Sequence, residues 1–350
     1  MVFAPKARSS LIKRVLLSAV VVFLAQTGIV HGDSHHVIVC GSGGEEEFEV
    51  KFRDWGTRLQ DVLIEQLGVS ESNVFLLLEP QEGDDDALGS TSLESIQSAL
   101  EIVQEQSTSE DTVYIYLIGH GSYFNSIPRF HIPGPDLTVE AFGEMIEGIQ
   151  SEQMVIVNGA SSSAAYINTL SAPGRIICTA TKSATEYNAT EFMGFFVESL
   201  EDGSADRNRD ERISIYEVCQ QAAELTDAWY IGSGYIPTEH PLIDDNADGL
   251  GTRLTWDLAG GFDPNDPQNE SRDGALAQVC YLKNIIFPDG TPQEWIDDYM
   301  EALDLVNELK ERKHELELDR YYVDLERLFL KAARANERIH TQNGPDSPNT

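Results

Sequence analysis

Positive charge is scarce in this chain. Its 350 residues carry 24 Lys and Arg against 59 Asp and Glu, a formal net charge of −35. Such a surface repels nucleic acid and anionic membrane, and it favours cations and basic partners. Cysteine is scarce too. Cys40, Cys178, Cys219 and Cys280 show no CxxC and no Cys/His metal spacing. Four cysteines allow three disulfide pairings, and the spacing does not choose among them. Cys40 and Cys178 end apolar, strand-like runs and read as buried small hydrophobes.

No internal repeat is present, and the single long apolar run lies at 15–30. Lys6, Arg8, Lys13 and Arg14 precede it, and Val30-His31-Gly32 ends it. That order matches the basic, apolar and small-residue regions of an export signal. About sixteen residues fall short of the roughly 20 that a spanning helix needs. The pattern predicts a signal peptide over 1–32, cleavage before Asp33 and a secreted or periplasmic mature chain with no membrane association. That chain would hold 20 basic and 59 acidic residues, a charge of −39.

Hydrophobic residues make up 41% of the sequence, which excludes wholesale disorder. Apolar β-branched runs at 36–40, 73–78, 112–118, 154–157 and 174–179 predict strands. Between them, helical spacing marks 52–67, 92–104 and 191–200, with Ser92 as an N-cap. Continuous apolar strands alternating with amphipathic helices imply an α/β sandwich, a mostly parallel sheet covered on both faces. Its site is expected at the carboxyl ends of the strands. One domain over 33–260 is expected, then a Gly/Pro/Asn/Asp-rich linker at 261–291. Charged, leucine-bearing helices follow at 292–340, and a polar tail at 341–350.

Two strand ends carry the candidate chemistry. The run 113–118 ends in Gly119-His120-Gly121, and 154–157 ends in Asn158-Gly159-Ala160-Ser161-Ser162-Ser163-Ala164. Here the chain resembles the caspase-fold cysteine peptidases, closest to the legumain-like branch (C13-type) and its bacterial relatives, over roughly residues 37–240. That pattern has His-Gly after one strand. After the next come a small residue, the nucleophilic cysteine, a variable residue and Ser-Gly. The resemblance implies a caspase-like αβα fold and sets His120 as the catalytic histidine. Gly121 would supply an oxyanion donor, and Ser161 stands where cysteine belongs. Ala164 replaces the glycine. A thiol is partly ionised at neutral pH, whereas a serine hydroxyl needs a close, oriented base. No carboxylate for that role is identifiable.

Two further loops point to calcium. Asp206, Asn208, Asp210, the Arg212 carbonyl, Ser214 and Glu217 occupy positions one, three, five, seven, nine and twelve of an EF-hand loop over 206–217. Glu211 stands at position six, where glycine is usual. A shorter match spans 244–255: Asp244, Asn246, Asp248 and the Leu250 carbonyl, with Thr255 at position twelve. Asp257 or Glu239 is a candidate to close it. The sequons at Asn188 and Asn269 carry little weight.

Together these features predict an exported, calcium-binding pseudopeptidase that takes a protein or peptide ligand. The alternatives are an active endopeptidase using Ser161 and His120, or a calcium-dependent scaffold acting through its C-terminal helices.

Overall fold

The computed structural model describes residues 32–81, 89–254, 273–283, 285, 287–288 and 290–342. The expected signal peptide (save Gly32), the acidic run 82–86, Thr255, Asp257, Asn269 and the end of the tail lie outside the described residues.

The main sheet has seven strands. β1 (Ser34–Cys40), β2 (Val74–Leu77), β3 (Thr112–Ile118), β7 (Gln153–Asn158) and β8 (Arg175–Thr179) run parallel. β10 (Leu242–Asp244) and β11 (Thr252–Arg253) add an antiparallel edge, giving the order β11-β10-β8-β7-β3-β1-β2. Between β3 and β7 the chain makes a small sheet of β4 (Gly121–Phe124), β5 (Ile127–Phe130) and β6 (Leu137–Thr138).

Strand alternation builds two apolar layers. Ile38, Cys40, Tyr114, Tyr116, Val155, Val157 and Cys178 face α1 (Glu46–Asp61), α5 (Phe192–Glu201) and α6 (Ile215–Gly232). Val37, Val39, Val113, Ile115, Ile156 and Ile177 face α2 (Leu93–Gln106), α3 (Val139–Ile146) and the short α4 (Ile167–Leu170). Both faces are covered, so the strands read as unbroken apolar runs rather than as alternating ones. Ser92 caps α2 by accepting the Ser95 amide at 3.1 Å.

All four cysteines are buried and unpaired. Burial pushes the Cys40 and Cys280 thiols up to about 12, so they act as small apolar groups.

Part of the stretch that reads as a linker is packed. Ala277, Cys280 and Leu282 are buried, and β12 (Tyr281–Lys283) pairs with β9 (Ile213–Ser214). Asp273 and Gly274, the latter at a left-handed φ of 117°, start the turn that leads into the core. Beyond it, α7 (Gln293–Glu311) and α8 (Leu318–Gln342) form a hairpin around Tyr299, Ala302, Leu303, Ala332, Ala335 and Ile339. Among the described residues no helix is long and apolar enough to cross a membrane.

Candidate functional site

β3 and β7 are parallel neighbours with Leu117 opposite Asn158, so both motifs emerge at one end of the sheet. Gly121 lies directly against the second motif: a Cβ there would overlap the Ser161 carbonyl oxygen. Only glycine permits that approach. The His120 ring packs edge-on against Phe48 and Phe52 of α1, with centroids 4.6 and 5.0 Å away. Burial, with the nearby His131 charge, lowers the His120 pKa from the ordinary histidine value. The shift favours the neutral imidazole over the charged one.

The imidazole is not coupled to the serine. Among the described residues no hydrogen bond joins His120 to Ser161, and no carboxylate pairs with His120. The histidine–carboxylate contacts lie elsewhere, at His240–Glu186 and at His35–Asp111, the latter 3.8 Å apart. The His240–Glu186 pair escaped sequence reading because its members are 54 residues apart and sit in no recognisable motif.

Ser161 is 3% exposed and donates its hydroxyl to the Asn188 carbonyl at 2.9 Å. The next two serines do the same kind of work. Ser162 donates to the Ala184 carbonyl at 3.0 Å, and Ser163 shares a hydrogen bond with the Thr181 hydroxyl at 3.1 Å. Ser162 holds a left-handed φ of 56° while its amide donates to the Glu186 carbonyl at 2.8 Å. The serine run thus clasps the end of β7 to the 181–188 loop. Beside it, a cleft of about 320 Å³ is lined by Tyr123, Pro128, Glu140, Ala164, Asn168 and Lys182, among others. Neither His120 nor Ser161 lines it.

The 206–217 loop has the folded outline that its ligand spacing predicts, with Arg209 and Glu211 left-handed at positions four and six. Its oxygens are already engaged. Asp206 accepts the Asp210 and Glu211 amides, each at 3.1 Å. Asp210 is ion-paired with the buried Arg212 at 3.0 Å and accepts the Asn307 amide group at 2.8 Å. Lys310 of α7 places its ammonium 2.6 Å from the Asn208 carbonyl. Glu217 closes a capping box with Ser214 at the start of α6, and burial raises its pKa. The Arg212 side chain, unlike its carbonyl, is a basic group inside the expected ligand set.

The shorter loop repeats this backbone, with Ala247 and Gly249 left-handed at the same two positions. The Asn246 side chain accepts the Asp248 amide at 2.8 Å, and Asp248 accepts the Leu250 amide at 2.7 Å. Asp273 joins them: one oxygen each from Asp244, Asp248 and Asp273 lies within 4.8 Å of the others, the one such carboxylate triple among the described residues. Burial pushes Asp273 up to about 6. Asp273 is 29 residues from Asp244 in the chain, beyond any loop motif, so spacing could not reveal it. Glu239 does not close this loop. It accepts the Glu191 and Phe192 amides at the start of α5, at 2.9 and 3.0 Å, and the Tyr230 hydroxyl at 2.8 Å.

No family model matches this chain, and no curated protein matches it.

Proposed function

We propose that this chain is an exported, calcium-binding pseudopeptidase of the caspase-like, legumain-like kind, which binds a peptide or protein at the His120–Ser161 end of its sheet and does not hydrolyse it. One observation carries the reading. The Ser161 hydroxyl is committed to the Asn188 carbonyl while His120 stands without an orienting carboxylate. A serine so placed has no route to ionisation, since activation needs a base within about 3 Å that is itself oriented. The order of the two motifs on neighbouring parallel strands supports the family comparison, and Gly121 against the Ser161 carbonyl is compatible with an oxyanion role.

Restoring sulfur tests it. Ser161→Cys should become labelled by an electrophilic peptide probe that leaves the unmodified protein untouched, and adding His120→Ala should reduce the labelling. Hydrolysis of a peptide library by the unmodified protein, lost in Ser161→Ala, would instead establish the endopeptidase alternative.

The calcium element of this proposal has a specific constraint at 206–217. Ligand spacing and the loop's left-handed positions support an ion there, but one entering must compete with Arg212 for Asp210 and sit close to the Lys310 ammonium. A scaffold role keeps one support of its own. The α7–α8 hairpin carries a groove of about 480 Å³ with Leu305, Leu309, Leu316 and Leu328 among paired charges such as Arg327–Asp324, suited to an apolar partner segment. Leu309→Asp should abolish such a partner's binding without altering probe labelling of Ser161→Cys.

A further inference from the structure

Asp244 and Asp273 are 1% and 4% exposed, and their ligand oxygens lie within 4.8 Å of each other and of Asp248. Two buried carboxylates at that separation repel each other strongly, and a proton or a cation between them relieves that repulsion. The hydrogen-bond pattern separates these carboxylates by role. Asp273 accepts the Asp245 amide at 3.1 Å and the Thr252 hydroxyl at 2.7 Å. Asp245 is spent on the Gly274 and Ala277 amides, both at 2.8 Å. Asp244 differs: its Oδ1 is buried with no hydrogen-bond partner. A buried carboxylate oxygen left bare costs a desolvation penalty that native structures avoid unless a water or an ion answers it.

The neighbouring loop of similar shape makes the contrast plain. There the first aspartate, Asp206, is satisfied by two loop amides, and α7 brings in Lys310. In the second loop the first aspartate keeps an oxygen free and the long-range partner is an acid. One loop is thus already supplied with cations from the protein, while the other gathers three carboxylates around an orphaned oxygen.

We infer that Asp244, Asp248 and Asp273 form a binding site for a hard divalent cation of the calcium class. Three carboxylates with no imidazole or thiolate select against zinc and copper. An irregular, loop-borne oxygen set suits calcium better than magnesium, which demands a tight octahedron and gives up water reluctantly. Exposed Asp248 forms the mouth of the site, and the two buried aspartates form its floor. Position defines what the ion does. β10 is antiparallel to β8, with Leu242 opposite Thr179 and Asp244 opposite Ile177. Asp244 therefore lies away from the strand ends that carry His120 and Ser161. The ion joins the sheet edge to the segment at Asp273–Ala277 that leads to β12 and the C-terminal hairpin.

Calorimetric titration of the full mature chain with calcium chloride tests this, alongside thermal melting. Calcium should bind at the Asp244–Asp248–Asp273 site and raise the melting temperature by mass action on the native state. Asp248→Asn removes an exposed ligand without touching the core, and it should weaken binding by on the order of tenfold or more. Asp273→Asn should do the same, while Glu217→Gln, in the other loop, should leave this site intact. Absence of binding up to about 10 mM calcium, beyond the weakest extracellular calcium modules, would overturn the inference. So would binding that survives Asp248→Asn and Asp273→Asn but is lost in Glu217→Gln. An equal melting shift with magnesium would reduce the effect to charge screening and overturn it too.

Discussion

A hydroxyl and a carboxyl show how burial changes what a residue does here. Ser161 looks like a nucleophile by position, yet its hydrogen bond makes it part of a clasp. Ser161→Ala should strip the Asn188 carbonyl of its donor and lower stability by about 1 kcal/mol, measurable as a shift in denaturant midpoint with unchanged slope. Glu239 makes a second case. It is fully buried, and desolvation, with the nearby Glu191 charge, outweighs its amide and hydroxyl donors and pushes it up to about 7 from 4.5. The native state therefore holds a proton between pH 4.5 and 7 that the unfolded chain has released. Its contribution to stability is full below about pH 4.5 and is lost as pH rises through about 7. Melting temperature should accordingly fall from pH 5 to pH 8, and Glu239→Gln should flatten that slope. Equal slopes in both proteins would exclude Glu239 as the group responsible. Neither role was legible in the sequence, because each depends on partners 27 to 48 residues away.

Elements were more legible than their uses. The five parallel strands, the first helices and the Ser92 cap follow from apolar runs, helical spacing and cap chemistry, all of which act over a few residues. The 206–217 loop was equally visible, but its occupants were not. Arg212 turns back on Asp210, and Asn307 and Lys310 arrive from α7, about a hundred residues on. The loop therefore serves as a dock for the C-terminal hairpin, which holds it through Asn307 on Asp210 and Lys310 on the Asn208 carbonyl. Lys310→Met should loosen the hairpin, seen as faster amide exchange in α7, and should raise any calcium affinity of this loop. Unchanged exchange would show that Lys310 is incidental. Ser214→Ala should break the capping box of α6 and cost about 1 kcal/mol.

At the scale of the whole molecule, net charge governs behaviour. A formal charge of −35 destabilises the compact state through self-repulsion, and salt screens it. Sodium chloride should raise the melting temperature steeply at low ionic strength and level off once the Debye length nears about 8 Å, at roughly 0.15 M. Calcium should add a shift beyond that plateau, because a coordinated ion is held by specific oxygens rather than by the atmosphere of the surface. A melting temperature indifferent to sodium chloride would mean that local pairs such as Arg58–Glu201 and Arg212–Asp210 already neutralise the repulsion that matters.

The sequence by itself determined the α/β class, the mostly parallel sheet, the charge, and the two motifs that end β3 and β7. Each is written in local periodicity or composition, which a linear chain displays without folding. Only the tertiary structure decided which acids meet, which histidine has a carboxylate and what the Ser161 hydroxyl bonds. It also decided that 273–283 enters the core and that Asp273, rather than Glu239, joins the second loop. Those outcomes depend on contacts between distant segments and on the removal of water around them. Nothing in the spacing of residues along the chain records either.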